Sequence, residues 1–163
     1  MTRCGTLVAA MVSAVALGAT PLPLSAYDPA QAGISDLQDC ARAALAAAVQ
    51  VGGDDEAGGA LFQSADGLCH YTIPVTQHIP TGVDYRVAVP RNSKMLALYH
   101  DHPGTAAPHF FSAPDLNLAN RMHLPMYVLV VREGVVMTYL DNRPVRDPLT
   151  FRGHYEFSSI RSR

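Results

Sequence analysis

Hydrophobic and polar positions along this chain repeat with two different periods, and the changes of period mark out its elements. From Ser35 to Gln50 apolar residues recur every three or four positions. Leu37, Ala41, Ala44, Leu45 and Ala48 form one stripe, as on a helix that buries one face. Ser35-Asp36-Leu37-Gln38 has the order of a capping box, and the alanines that follow favour helix. Gly52-Gly53-Asp54-Asp55 ends it. Glu56 to Gln63 and Cys69 to Val75 then read as two strands, joined by the turn signal Ser64-Ala65-Asp66-Gly67. A polar loop with Pro80 and Gly82 leads to a short strand, Tyr85 to Val89, closed by Pro90. Met95 to Tyr99 reads as a buried strand that delivers His100, Pro103 to Phe111 as a loop, and Ala113 to Met122 as a second helix. Tyr127 to Val131 and Val135 to Leu140 are apolar strands joined through Glu133-Gly134. Helix, strands, helix, strands is the order of an α/β (α+β) domain with helices packed on a mixed sheet.

The N-terminal pattern is of another kind. Arg3 precedes an apolar run from Leu7 to Ala19, and small residues continue to Leu24-Ser25-Ala26. That order predicts a signal peptide over residues 1–26, cut after Ala26 or after Ala19. The run is shorter than the roughly 20 residues of a membrane span. No stable membrane insertion is therefore expected after cleavage, an uncleaved anchor being the alternative. The expected location is secreted or periplasmic. Residues 27–34 read as a linker and 35–163 as a single domain. Its tail beyond Asp141 contains Pro144 and Pro148 and is expected to be irregular, with one edge strand near Tyr155 to Phe157.

Composition narrows the picture. The 163 residues suffice for one domain with a core. A net charge of −2 and the absence of any Lys/Arg run remove the electrostatic case for a nucleic-acid partner. Beyond the leader the cysteines are Cys40 and Cys69. In an exported protein such a pair suggests a disulfide from the first helix to the second strand; two buried thiols are the alternative.

The candidate chemistry lies in His100-Asp101-His102-Pro103 and Ser112-Ala113-Pro114-Asp115. On a strand, His100 and His102 point to one face. Asp115 adds a third ligand from the first turn of the following helix. Three protein ligands with a fourth position open is the arrangement of a catalytic rather than a structural zinc site. Ser112 and Asp115 also have a plainer reading as a capping box, with Pro114 tolerated near the helix start. A hydrolytic site needs a general base as well. Glu56 is the candidate, because it opens a strand whose next residues, Ala57, Gly58, Gly59 and Ala60, are small. The alternative makes it the solvated end of Asp54-Asp55-Glu56. His70, His78, His123 and His154 read as structural or solvated. His109, with Phe110 and Phe111 in the loop between the ligands, reads as an exposed loop residue, lining for a substrate cleft being the alternative. Tyr71, Tyr85, Tyr99, Tyr127 and Tyr139 read as core or sheet-surface residues.

Taken together, Glu56, His100-x-His102-Pro103 and Ser112-x-x-Asp115 resemble the JAMM motif of the MPN-plus metalloprotease superfamily, over roughly Ser35 to Leu140. The resemblance implies a JAMM/MPN-like, cytidine-deaminase-like sandwich of a central mixed sheet flanked by helices. It implies Zn2+ as cofactor, with His100, His102 and Asp115 as ligands. Glu56 would then be the acid/base and Ser112 the helper at the oxyanion. Two features depart from the usual motif: a longer gap between His102 and Ser112, and Asp101 in place of Ser or Thr between the histidines. The chain also resembles an uncharacterised bacterial JAMM-like domain found at the ends of Rhs-type repeat toxins. The implied function is an exported hydrolase that cleaves a peptide, isopeptide or related amide bond through a zinc-activated water. Its partner would be a peptide or other amide-containing substrate. The alternative is a JAMM-like binding module or toxin-associated domain without hydrolytic activity.

Overall fold

A computed structural model of the chain describes residues 8–10, 22–104, 111–140 and 143–145. Its elements are β1 (Val8–Ala10), β2 (Leu24–Ala26), α1 (Leu37–Gly52), β3 (Ala57–Gln63), β4 (Cys69–Tyr71), β5 (Val75–Thr76), β6 (Arg86–Val89), β7 (Lys94–His102), α2 (Ala113–Met122), β8 (Met126–Val130), β9 (Val135–Leu140) and β10 (Arg143–Val145). The main sheet runs β10-β9-β8-β7-β3-β4, with β5 also on β3. Among the described residues only β7 and β8 pair in parallel within it, as expected where a crossover helix, here α2, joins them. The fold is thus a mixed α/β sandwich with a central mixed sheet, as expected.

Each central strand is buried on both faces. On one face Ala57, Leu61, Ala97, Tyr99 and Leu129 pack under Cys40, Ala41, Ala44, Leu45 and Ala48 of α1. On the other, Ala60, Phe62, Leu98 and Val128 meet Tyr85, Val87 and Val89 around β6 and Ala119 of α2. The period-two alternation of strand side chains produces this division. A disulfide joins Cys40 of α1 to Cys69 of β4, which is the first of the two alternatives for that pair.

Several boundaries differ from expectation, each for a physical reason. Asp36, not Ser35, caps α1, because its side chain accepts from the N–H groups of Gln38 and Asp39. The helix runs on to Gly52 and stops at Gly53, whose φ of 64° suits glycine. The strand expected over Cys69 to Val75 breaks into β4 and β5 around Pro74, which has no N–H for a ladder. β7 extends through His102, since β8 pairs along it as far as His102↔Val130.

Residues at the leader boundary take part in the fold. Leu24, Ser25 and Ala26 pair in parallel with Arg86, Val87 and Ala88, and Val8–Ala10 pairs with the other edge of β6. Ser25 is fully buried, with its hydroxyl 2.6 Å from Thr72 Oγ1 and 2.7 Å from the Ile73 carbonyl. The stretch read as a linker is pinned at both ends, by bridges Tyr27↔Thr72 and Ile34↔Cys69. The edge strand expected at Tyr155 to Phe157 lies outside the described residues, as does His154. Among the described residues no helix is long and apolar enough to cross a membrane.

Candidate metal centre

The site forms where β3 begins, β7 ends and α2 begins. The β3–β7 ladder runs antiparallel from Gln63↔Lys94 to Gly58↔His100. Residues directly opposite in such a pair share a face, so the ladder, continued by two residues, sets Glu56 across from His102. Both then look to the β6 and α2 side, with His100. Gly58 and Gly59 let this happen. A Cβ at Gly58 would sit 2.7 Å from the Tyr99 carbonyl and 2.9 Å from His100 Cβ, and one at Gly59 2.7 Å from the Tyr99 hydroxyl. The small run after Glu56 is therefore a close-approach surface for β7.

His100 Nε2 and His102 Nε2 lie 3.1 Å apart, with their rings tilted by 52°. Glu56 Oε1 is 3.7 Å from His102 Nε2. Asp115 Oδ1 is 3.4 Å from His100 Nε2, and its Oδ2 is 3.9 Å from His102 Nε2. Glu56, His100 and His102 are all buried. They offer ligand atoms within 4.8 Å of one another.

Asp115 caps α2 and also faces His100. Its Oδ2 accepts from the Ser112 N–H at 2.7 Å, while Ser112 Oγ accepts from the Asp115 N–H at 3.3 Å. This reciprocal box starts α2 and leaves Oδ1 turned to His100. Ser112 is thereby held at the rim, beside the carboxylate. Tyr85 lies beneath, its hydroxyl donating to the Gly59 carbonyl at 2.8 Å.

The charges are strongly coupled. Burial, helped by the nearby carboxylates Asp115 and Asp101 and opposed by His100, pushes Glu56 up to about 7. Burial pushes Asp115 up too, but the charge and hydrogen bond of His100 and the bonds from Ser112 outweigh it, so Asp115 stays well below the usual carboxylate range. Burial alone would lower His100; Asp115, Glu56 and Asp101 together hold it above its ordinary value. Asp101, on the opposite face of β7, is pushed up to about 6, mainly by burial.

The donor set fits a tetrahedral Zn2+. Ligand atoms about 2.0–2.1 Å from such an ion lie roughly 3.3 Å from one another. His100 Nε2 lies 3.1 Å from His102 Nε2 and 3.4 Å from Asp115 Oδ1, which matches that edge; the contact of Asp115 with His102 is longer, 3.9 Å, and is made by its other oxygen, Oδ2. Two imidazoles and a carboxylate are borderline donors that suit zinc. The cavity of about 210 Å³ lined by Asn120, His123, Leu124 and Tyr139 lies at the other end of α2 and contains none of these groups.

The remaining histidines fall outside the cluster. His70 is buried and stacks on Phe62 at 5.6 Å. His78 is exposed and 3.4 Å from Asp55. His123 ends α2 in the left-handed region. His109 and Phe110 lie outside the described residues, and Phe111 packs at 5.7 Å from the Tyr139 ring. Tyr85, Tyr99, Tyr127 and Tyr139 are core residues, as expected. Asp101, which the sequence shows only as a departure from the usual motif, accepts from the Ala57 N–H next to Glu56. The strand alternation that aims the histidines one way aims Asp101 the other, and that was the available signal.

A mixed sheet with this cluster at the junction of β3, β7 and α2 defines a JAB-like domain. Prok-JAB, the prokaryotic homologs of the JAB domain, matches residues 39–142, and the chain belongs to that family. Comparison with curated proteins and with solved structures finds no match.

Proposed function

We propose that this protein is an exported, zinc-dependent hydrolase of a peptide, isopeptide or related amide bond. The observation that carries the reading is the convergence of the buried Glu56, His100 and His102, with the partly buried Asp115 of α2 in contact with both histidines. His100 Nε2, His102 Nε2 and an Asp115 oxygen would hold the ion. Bound there, Zn2+ would supply Lewis acidity, making a water acidic near neutral pH and polarising the scissile carbonyl. Glu56 takes a proton from the attacking water at Oε1. As the water oxygen bonds to the carbonyl carbon and the C–N bond breaks, Glu56 returns the proton to the leaving amine nitrogen. Ser112 stands at the rim to donate to the developing oxyanion. The Cys40–Cys69 disulfide supports an oxidising compartment. That location favours extracytoplasmic peptides or cell-wall amides as substrates.

The test is a substrate panel of peptides, isopeptides and cell-wall amides, with Glu56→Gln as the control. Hydrolysis by the wild type, lost in Glu56→Gln while its zinc content is unchanged, supports the reading. Equal turnover by both proteins would refute the role of Glu56.

A further inference from the structure

Asp101 is fully buried between the two histidines but faces away from them, toward α1. Its Oδ1 accepts the Ala57 N–H at 2.8 Å. The regular β3–β7 ladder stops one residue earlier, at Gly58↔His100, and at Ala57 strand β3 is paired on its other side with β5. The side chain of Asp101 thus links the two strands one residue beyond the last ladder pair. The peptide on the other side of Glu56 is fixed as well, since the Glu56 N–H donates to the Ile79 carbonyl at 3.1 Å. Glu56 is held by its backbone between these two bonds.

The placement is poor for stability alone. Oδ2 of Asp101 has no hydrogen-bond partner and no solvent. Burying a carboxyl for one N–H bond costs more than a neutral acceptor would. The group also lies against the end of α1: a Cβ at Gly52, the last residue of that helix, would be 3.8 Å from Asp101 Oδ1. The C-terminus of a helix disfavours negative charge. Stability forgone beside a reactive cluster is the usual sign of a functional demand.

We infer that Asp101 is a positioning residue, whose hydrogen bond to the Ala57 N–H fixes the Glu56 carboxylate relative to the metal ligands. This rests on the proposed zinc site and on Glu56 as its base. It assigns Asp101 no contact with substrate or ion.

The experiment uses the full chain loaded with Co2+ in place of zinc, and reads the pH midpoint of the cobalt visible spectrum. Glu56→Gln is the reference. Removing its negative charge should lower the midpoint, by about one pH unit for a single charge moved in a buried site. Asp101→Ala and Asp101→Val have no acceptor and should shift the midpoint in the same direction as Glu56→Gln, with cobalt still bound. Asp101→Asn keeps a carbonyl oxygen in place and should shift the midpoint less than Asp101→Ala or Asp101→Val does. Failure of Glu56→Gln to move the midpoint would overturn the assignment of Glu56 itself. A shift in Glu56→Gln but none in Asp101→Ala or Asp101→Val would overturn the positioning role alone. A shift in Asp101→Asn as large as that in Glu56→Gln would also overturn it, by tying the effect to charge rather than to the hydrogen bond.

Discussion

A base buried at the junction of three elements should cost the fold stability whenever it is ionised and no metal is present, and Glu56→Gln isolates that cost. Burial lifts Glu56 from 4.5 to about 7. With the folded-state value raised, the protonated acid is the form the fold favours. Its contribution is fully present below about pH 4.5 and is lost as the pH rises through about 7. At about 1.4 kcal/mol per pH unit, that interval amounts to about 3 kcal/mol of destabilisation at pH 8. Glutamine has nearly the same shape and no charge to desolvate. Metal-free Glu56→Gln should therefore be more stable than wild type at pH 8 by about 2–3 kcal/mol, or roughly 5–10 °C in Tm for a domain of this size. At pH 5 most of that gap should close, to about 1 kcal/mol or less. The assay is thermal unfolding of chelator-treated protein at the two pH values. Saturating zinc should narrow the pH 8 gap, because the cation favours the ionised glutamate of the wild type. A gap of equal size at both pH values, or a wild type more stable at pH 8, would refute the account of Glu56.

Three further outcomes follow from the packing. Gly59→Ala places a Cβ 2.6 Å from Thr72 Oγ1 and 2.7 Å from the Tyr99 hydroxyl, and denaturant unfolding should show a loss of about 1–3 kcal/mol. Cys40 and Cys69 are 29 residues apart, so replacing both with alanine should cost about 3–4 kcal/mol by the loop-entropy relation, visible as a lower midpoint that reductant no longer changes. A chain beginning at Tyr27 lacks β2 and the Ser25 hydrogen bonds to Thr72 and Ile73. It should be less stable than one beginning at Thr20 by at least about 2 kcal/mol in denaturant unfolding.

Much of the site was legible in the sequence because it depends on local periodicity. His100 and His102 share a face through strand alternation alone, and Ser112 with Asp115 announces a helix start whatever else those residues do. Glu56 was legible through its glycine-rich neighbours, which the structure explains as room for Tyr99 and His100 to approach. The dual use of Asp115 was not legible: which oxygen caps α2 and which faces His100 depends on where the loop from Pro103 sets the helix down. Nor was the link from Asp101 to Ala57, which joins residues 44 positions apart in the chain and exists only in the β3–β7 register. In the fold, the order of elements was readable. The incorporation of Leu24–Ala26 beside β6 was not, because that pairing is made by the fold and leaves no local period. The same small residues that suggest a leader boundary also fit against Thr72 and Gly59.

The central claim is that His100, His102 and Asp115 hold a zinc ion. Elemental analysis after loading with zinc and exhaustive dialysis, of wild type beside folded His100→Ala, tests it most directly. The account predicts close to one zinc per wild-type chain and a loss of most of it in His100→Ala. Equal and negligible zinc in both proteins would contradict it.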